Sequence, residues 1–438
     1  MHCFPVHNRE INALDANCHE RRDVQPFSWS AEKQLSGNLP NGDLIHPKKA
    51  PWSNVNRFCL QAIESNSDAA FAHFLTILLD PSDQSKHSIR MLGWNLFLGE
   101  RQAPIEVLPR RLTTILSELE MKRLATMYLE KVHPCYGVVD YGMLHQSVSY
   151  AWERPGGSSA QDAVLCGIGA LAYLFSGAKD VTVESSLVLL AKCLLDPSTA
   201  DPPSRHSATA WVLRTAYLRL TARPEEAWLA SCTTLHIIEA CDVVKDAGCS
   251  ERFSPTRYPG SANIGKRIFG VAQHLNMWMS YDVGRSRVKL PDAGHVSYLT
   301  QPNDYTTELL ELLPYSQDLD PANEVGEQGL TGALQQILGR THSQPSSVLA
   351  QCNLMLYIYR RLHGSKAPIP EDLLNSVIAL IGKSIEAARS SMAAGLSWHH
   401  VANIPFQAVR TLLAIDTIQS FALLSDATAC LLAVNDTY

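Results

Sequence analysis

The chain has 438 residues, 46% of them hydrophobic, with a mean hydropathy of −0.07. That is room for roughly two or three average domains or one large helical body, and too much apolar surface for wholesale disorder. A net charge of −6 and a pI near 6.2 argue against the basic face that phosphate-backbone binding requires.

The 11 cysteines are scattered singly with no C-x-x-C pair, which reads as buried thiols in a reducing compartment. The N-terminus, MHCFPVHNREINALD, lacks the basic-then-apolar run of a secretory signal. No apolar stretch of about 18 residues stands out, so the chain is expected to be soluble and intracellular, with no membrane partner.

Residues 1–54 are polar, rich in turn formers and without period, and are expected to form a disordered or loosely docked tail. Its charges balance, so it is no basic arm. From Val55 the pattern turns helical, through Phe58, Ile63, Phe71, Phe74 and Leu78, and stops at Asp80-Pro81. A short segment, SIRMLGWNLFLGE, follows. A helix is expected from about Pro109 to Val132, ended by His133-Pro134, and another through Trp152, closed by Pro155-Gly156-Gly157.

QDAVLCGIGALAYLF, from Gln161 to Phe175, is apolar nearly all round and marks a helix in the middle of a bundle. Its Gly167 and Gly169 are not a phosphate loop, because no strand precedes them and no third glycine follows at the right spacing. They are read as places where another helix approaches closely. Three amphipathic helices come next, ESSLVLLAKCLL, ATAWVLRTAYLRLTA and PEEAWLASCTTLHIIEACDVV. The last opens on Pro224 with Glu225 and Glu226 in its first turn, where the missing N–H does no harm and the helix dipole favours acids.

The stretch KRIFGVAQHLNMWMSYDVGRSRVKL, Lys266–Leu290, is expected to be a buried central helix. Ile268, Val271, Ala272, Leu275 and Met279 recur at helical spacing beside Trp278. Arg267 opens it, and Asp282, Arg285 and Arg287 close it around Gly284, whose freedom of backbone suits a helix end. A guanidinium buried here needs a partner, and Asp282 is the nearest carboxylate. Beyond it lie a loop from Pro291 to Pro302, a broken helical region from Tyr305 to Leu338, and helices over Val348–Leu362, Pro370–Met392 and Phe406–Val434. Successive helices, short turns and no alternating strands make the expected fold all-α: a large array of antiparallel helices around that central one.

Few constellations carry chemistry. Cys232 and His236 lie four apart on one helix, a spacing that can present two metal ligands, but no further ligands are evident and the pair reads as a core thiol and a bonded histidine. His399-His400 precede a loop reaching Pro405 and are assigned structural or solvent roles. Ser231 with His236, and Cys135 with His133, pair as nucleophile and base on paper only, without a local frame such as a nucleophile elbow. Arg285, Arg287 and Asp282 fit either an anion clamp or a tie between the central helix and its neighbours, and the tie is favoured. No catalytic residue, metal or cofactor is assigned.

Several stretches together resemble the fungal-specific transcription factor domain, the middle homology region of fungal zinc binuclear cluster regulators. They are LGWNLFLGE from Leu92, YLEKVHPCYGVVD from Tyr128, LCGIGALAYLFSG from Leu165, LRTAYLRLTARPEEAWLASCTTLHIIEA from Leu213, RIFGVAQHLNMWMSYDVGRSRV from Arg267 and IPFQAVRTLLAIDT from Ile404. Six in the expected order span about Val55–Val434, within a regulatory-type domain over 55–438. The family's six closely spaced zinc-holding cysteines are not matched, since only Cys3 and Cys18 lie in residues 1–54. The resemblance implies a nuclear transcriptional regulator or co-regulator, of a fungal metabolic gene cluster. Its partner would be another transcription factor or co-regulator, with a small-molecule effector as a further possibility and no direct, specific DNA binding by this chain. The alternative is a repurposed helical body that binds or transforms a pathway intermediate beside the central helix, with His236, His274, Trp278 and Arg285 as candidate lining.

Overall fold

A computed structural model describes residues 111–154, 159–178, 180–196, 203–241, 261–290, 304–319 and 325–437. The expected tail, the helix after Val55 and the Leu92–Glu100 stretch lie outside these. Among the described residues there is no strand; the one bridge of that kind has the Tyr305 N–H donating to the Pro134 carbonyl at 3.0 Å.

The chain runs as α1 (Leu112–Ile115), α2 (Glu118–Lys131), α3 (Leu144–Glu153), α4 (Ser159–Ser176), α5 (Thr182–Leu194), α6 (Arg205–Thr221) and α7 (Pro224–Ala240). It continues through α8 (Ser261–Val283), α9 (Thr306–Leu310), a 3-10 turn (Pro314–Leu319), α10 (Glu327–Leu338), α11 (Pro345–Gly364), α12 (Glu371–Ala393), α13 (His399–Ile415) and α14 (Ile418–Thr437). The fold is all-α.

Local chemistry sets many of the ends. The single helix expected from Pro109 is split, because Ser117 caps α2 by accepting from the Glu120 N–H at 3.2 Å, with Glu118 and Glu120 in the first turn. Ser204 and Ser207 form a reciprocal capping box on α6, and Pro224 stands at the start of α7. Gly284 takes φ +63° and ends α8, with the Arg285 N–H donating back to the Ser280 carbonyl at 2.8 Å.

Two expectations near the C-terminus are corrected. Pro405 does not end a loop; it sits inside α13, which starts at His399. The residues around it, 401–405, are all buried, and that burial outweighs the roughly 3 kcal/mol that an interior proline costs a helix. The helix expected to run unbroken to Val434 divides at Asp416, which adopts a left-handed conformation at φ 54°.

The absence of a long apolar stretch is also corrected, for α14 has 20 residues and a mean hydropathy of 1.3, long and apolar enough by composition to cross a membrane. Serine, threonine and glutamine between its apolar residues hide this from a search for an unbroken run. In the structure it packs on α12 and α13 through Ser420, Ala427, Cys430 and Val434.

At the centre, α4 packs against α2, α5 and α6, and α8 against α6, α7 and α9. Space at Gly167 and Gly169 is fully used. A Cβ on Gly167 would lie 2.9 Å from Leu213 Cβ on α6, and one on Gly169 would lie 2.9 Å from Leu187 Cδ1 on α5. Every residue of α8 from Arg267 to Val283 is buried except the half-buried Gln273. It is the central helix of the array.

Candidate functional site

The central helix α8 is held by buried charged groups at both ends. At its N-terminal end Arg267, fully buried, pairs with Asp304, and its other amino group donates to the Gly137 carbonyl at 3.2 Å. Asp304 also accepts from the Thr306 N–H at 2.9 Å, and Thr306 Oγ1 accepts from the Gly137 N–H at 2.9 Å. Gly137 is needed for this, since a Cβ there would lie 2.6 Å from the Arg267 guanidinium. At the other end Asp282 accepts from Arg219 of α6 and from the Tyr357 hydroxyl of α11 at 2.6 Å. The partner of the buried Arg267 is therefore Asp304 and not Asp282, whose own partner is the Arg219 guanidinium of α6; both partners come from distant segments.

The strand of chain after α8 is folded back along it. Asn276 Oδ1 accepts from the Val288 N–H at 3.0 Å, and its amide donates to Ser231 Oγ of α7 at 2.9 Å. The Ser280 hydroxyl donates to the Ser286 carbonyl at 3.1 Å.

Between the anchors lies a chamber. Trp278 Nε1 donates to His274 Nε2 at 3.1 Å, so the neutral imidazole carries its proton on Nδ1, beside the Leu309 backbone. Aromatic rings continue outward from this pair. Tyr136 meets His274 at 6.0 Å and Trp398 at 5.1 Å, Trp398 meets Phe175 at 4.7 Å, and Trp278 meets His400 at 5.3 Å and Tyr357 at 6.1 Å, centroid to centroid. The cavity among them measures about 30 Å³ and is bordered by Tyr136, Arg219, His274, Trp278, Trp398 and His400. It is of a size for water; sites for drug-sized ligands are roughly 300 to 1,000 Å³.

Burial disfavours a charged imidazole at His274 and His400 in this chamber. Burial lowers the His274 pKa to about 3, aided by the Arg219 charge. Burial, Arg219 and His274 together hold His400 well below its ordinary value. Burial likewise takes His133 down to about 4 and pushes the Cys135 thiol up to about 11. Cys135 donates to Ser346 Oγ at 3.3 Å. A thiol so reluctant to ionise beside a histidine so reluctant to accept a proton is not a nucleophile–base pair.

Of the four candidate lining residues, the structure brings together His274 and Trp278. His236 stands on the outer face of α7, its side chain 62% exposed and 3.4 Å from Glu239, while Ser231, five residues earlier, is buried against α8. Arg285 lies half-buried with its guanidinium 5.8 Å from the Trp228 ring centre, outside the chamber lining. Arg287 donates to Ser316 Oγ at 3.2 Å and lies over the Tyr281 ring. Among the described residues no three of His, Cys, Asp or Glu come together as a metal would require.

Sequence reasoning missed His400, Arg219 and Tyr136. Both His399 and His400 border the cavity, because they open a helix and do not sit on a loose turn. The signal available was Trp398-His399-His400 placed before an apolar run; nothing local in the sequence marks Arg219, which lies on a helix buried on nearly every side.

Among the described residues, fold and site define an all-helical protein whose buried polar groups tie helices to one another. Comparison with known proteins says which kind. Protein RDR1 of Gibberella zeae is 37% identical over 402 residues, covering 92% of this chain and 74% of that protein. Transcription factor kojR of Aspergillus oryzae is 37% identical over 410 residues, covering 92% and 72%. Protein RDR1 of Saccharomyces cerevisiae is 30% identical over 415 residues, covering 92% and 71%. The chain belongs to this family of fungal transcription factors. No family model matches the chain, and no solved structure matches it.

Proposed function

We propose that residues 55–438 are the regulatory body of a nuclear transcription factor, of the fungal-specific middle homology type, and that it governs a metabolic gene cluster through contacts with another factor or co-regulator. Relatives at 37% identity over nearly the whole chain carry the first part of this reading. The filled chamber supports the second. A cavity of about 30 Å³ beside Trp278 is too small for an effector at that place, which favours the helical faces as the means of communication. A larger effector would have to part Trp278 from His400, and with them α8 from α13. A pathway enzyme is the weaker reading, since burial holds the His274 pKa at about 3 and pushes that of Cys135 up to about 11, far from the values that general acid–base or thiolate chemistry uses.

Specific contact with a promoter is assigned to a partner or to a segment other than this body. The net charge of −6 and the two cysteines in residues 1–54 support that assignment. The test is a gel shift with the purified chain on promoter fragments at about 150 mM salt. Weak, sequence-indifferent retention that disappears with salt is expected. Nanomolar binding to one promoter that survives added salt refutes the assignment.

A further inference from the structure

The face of α14 turned away from α12 and α13 carries a stripe of apolar and small residues, with Gln419, Asp426 and Thr428 exposed beside it. Ile418 is 87% exposed, Phe421 48% and Leu432 61%, with Ala422, Ser425 and Ala429 exposed between them. A surface helix ordinarily turns polar residues outward, and a helix apolar on both sides is ordinarily covered on both. We propose that this face is covered by the same helix of a second copy, packed antiparallel about a two-fold axis passing beside Ser425.

The order of the residues carries the choice of occupant. Reversing the helix about Ser425 sets Phe421 against Ala429 and Ile418 against Leu432, so a large side chain meets a small one near the axis and two aliphatic ones close each end. This is the self-complementarity that a two-fold contact demands. Charge points the same way. Ile418–Thr437 contains no lysine or arginine, which a helix lying on an anionic membrane would need, and the one acid near the axis, Asp426, is met by Arg389 of α12. The strip from Ile418 to Leu432 is about 21 Å long and on a helix about 10 Å across. That is a footprint of about 200 Å² per copy, well below the roughly 1,200 Å² at which stable specific interfaces begin, so the dimer is a weak, reversible one.

The experiment uses the full chain. Sedimentation equilibrium up to about 100 µM is expected to show monomer and dimer in exchange, and Phe421→Glu to weaken the dimer at least tenfold with an unchanged melting curve. Independently, Ser425→Cys is expected to form a reducible disulfide-linked dimer under mild oxidation faster than wild type. Leu432→Cys alone is expected not to do so, while Leu432→Cys mixed with Ile418→Cys does. A chain that stays monomeric throughout, a Phe421→Glu variant that dimerises like wild type, or Ser425→Cys crosslinking no faster than Leu432→Cys each overturns the proposal. So does Phe421-dependent sedimentation of the chain with phosphatidylcholine–phosphatidylserine vesicles, which would make a membrane the occupant.

Discussion

Asp304→Ala probes the N-terminal anchor of the central helix. Arg267 is fully buried and the Asp304 side chain is 2% exposed, so removing the carboxylate strands a guanidinium where water cannot reach it. Its remaining described partner is the Gly137 carbonyl at 3.2 Å. Breaking such a pair from one side costs about 3–5 kcal/mol, against about 5–15 kcal/mol for the whole stability of a domain. The melting temperature should fall by about 10 °C, and the urea midpoint with it. The double variant Arg267→Met/Asp304→Leu removes both charges and restores apolar volume, so it should recover more than half of that loss. Thermal and urea unfolding of the three proteins, followed by circular dichroism, decide the matter. A loss below about 1 kcal/mol in Asp304→Ala, or a double variant no better than the single, would refute the reasoning, because either result means the charge is solvated in the native state.

The neighbouring cations give a contrast. Arg285→Ala should lower stability by only about 0.5–1 kcal/mol in the same unfolding assay, since its described contact is a half-buried one over the Trp228 ring. Acid should weaken the fold through its buried histidines. His133 and His274 have folded pKa values near 4 and 3 against 6.5 unfolded, so between those limits the unfolded chain binds more protons and stability falls as pH falls. Moving from pH 7 to pH 5 should remove about 2 kcal/mol per histidine, read as a lower urea midpoint; an unchanged or higher midpoint at pH 5 would contradict the assignment. Gly167→Ala should destabilise by about 1–2 kcal/mol, because overpacking against Leu213 exceeds the gain in helix propensity. Gly332→Ala, with open space around its Cβ, should stabilise by up to about 1 kcal/mol, and the two melts form a matched pair.

Periodicity and breakers were enough to read most of the fold. The 3.6-residue stripes, the prolines at helix starts and the glycine after Val283 mark helices whose ends the structure places within a few residues. Where the reading failed, burial overrode a local rule, as at Pro405, or a single residue in a rare conformation broke a continuous stripe, as at Asp416. The chamber was half legible. His274 and Trp278 lie four apart on one helix, so their hydrogen bond is implicit in the sequence. Their other neighbours are not, because Tyr136, Arg219 and His400 come from three separate elements and no local pattern says which faces of those elements meet. His236 shows the converse. Its neighbours in sequence are those of a core helix, yet one step around the helix turns it to solvent.

The two buried ion pairs are the charged contacts among the polar ones that keep α8 in one position. A shift of α8 by a turn would unmake the bonds of Asn276 to Ser231 and Val288 and of Ser280 to Ser286, each neutral and individually modest. The Arg267–Asp304 and Asp282–Arg219 pairs lie about 22 Å apart along the axis, and a shift of one turn, about 5.4 Å, breaks both at once. Leaving either charge unpaired in the interior is far costlier than losing one of those neutral bonds, so the pairs act as stops at both ends of the rod. On this argument Asp282→Ala and Asp304→Ala together should loosen the Trp278 environment more than the sum of the single changes, seen as lost near-ultraviolet ellipticity with helical content retained. Strictly additive changes in that signal would show that contacts other than the two pairs fix the register.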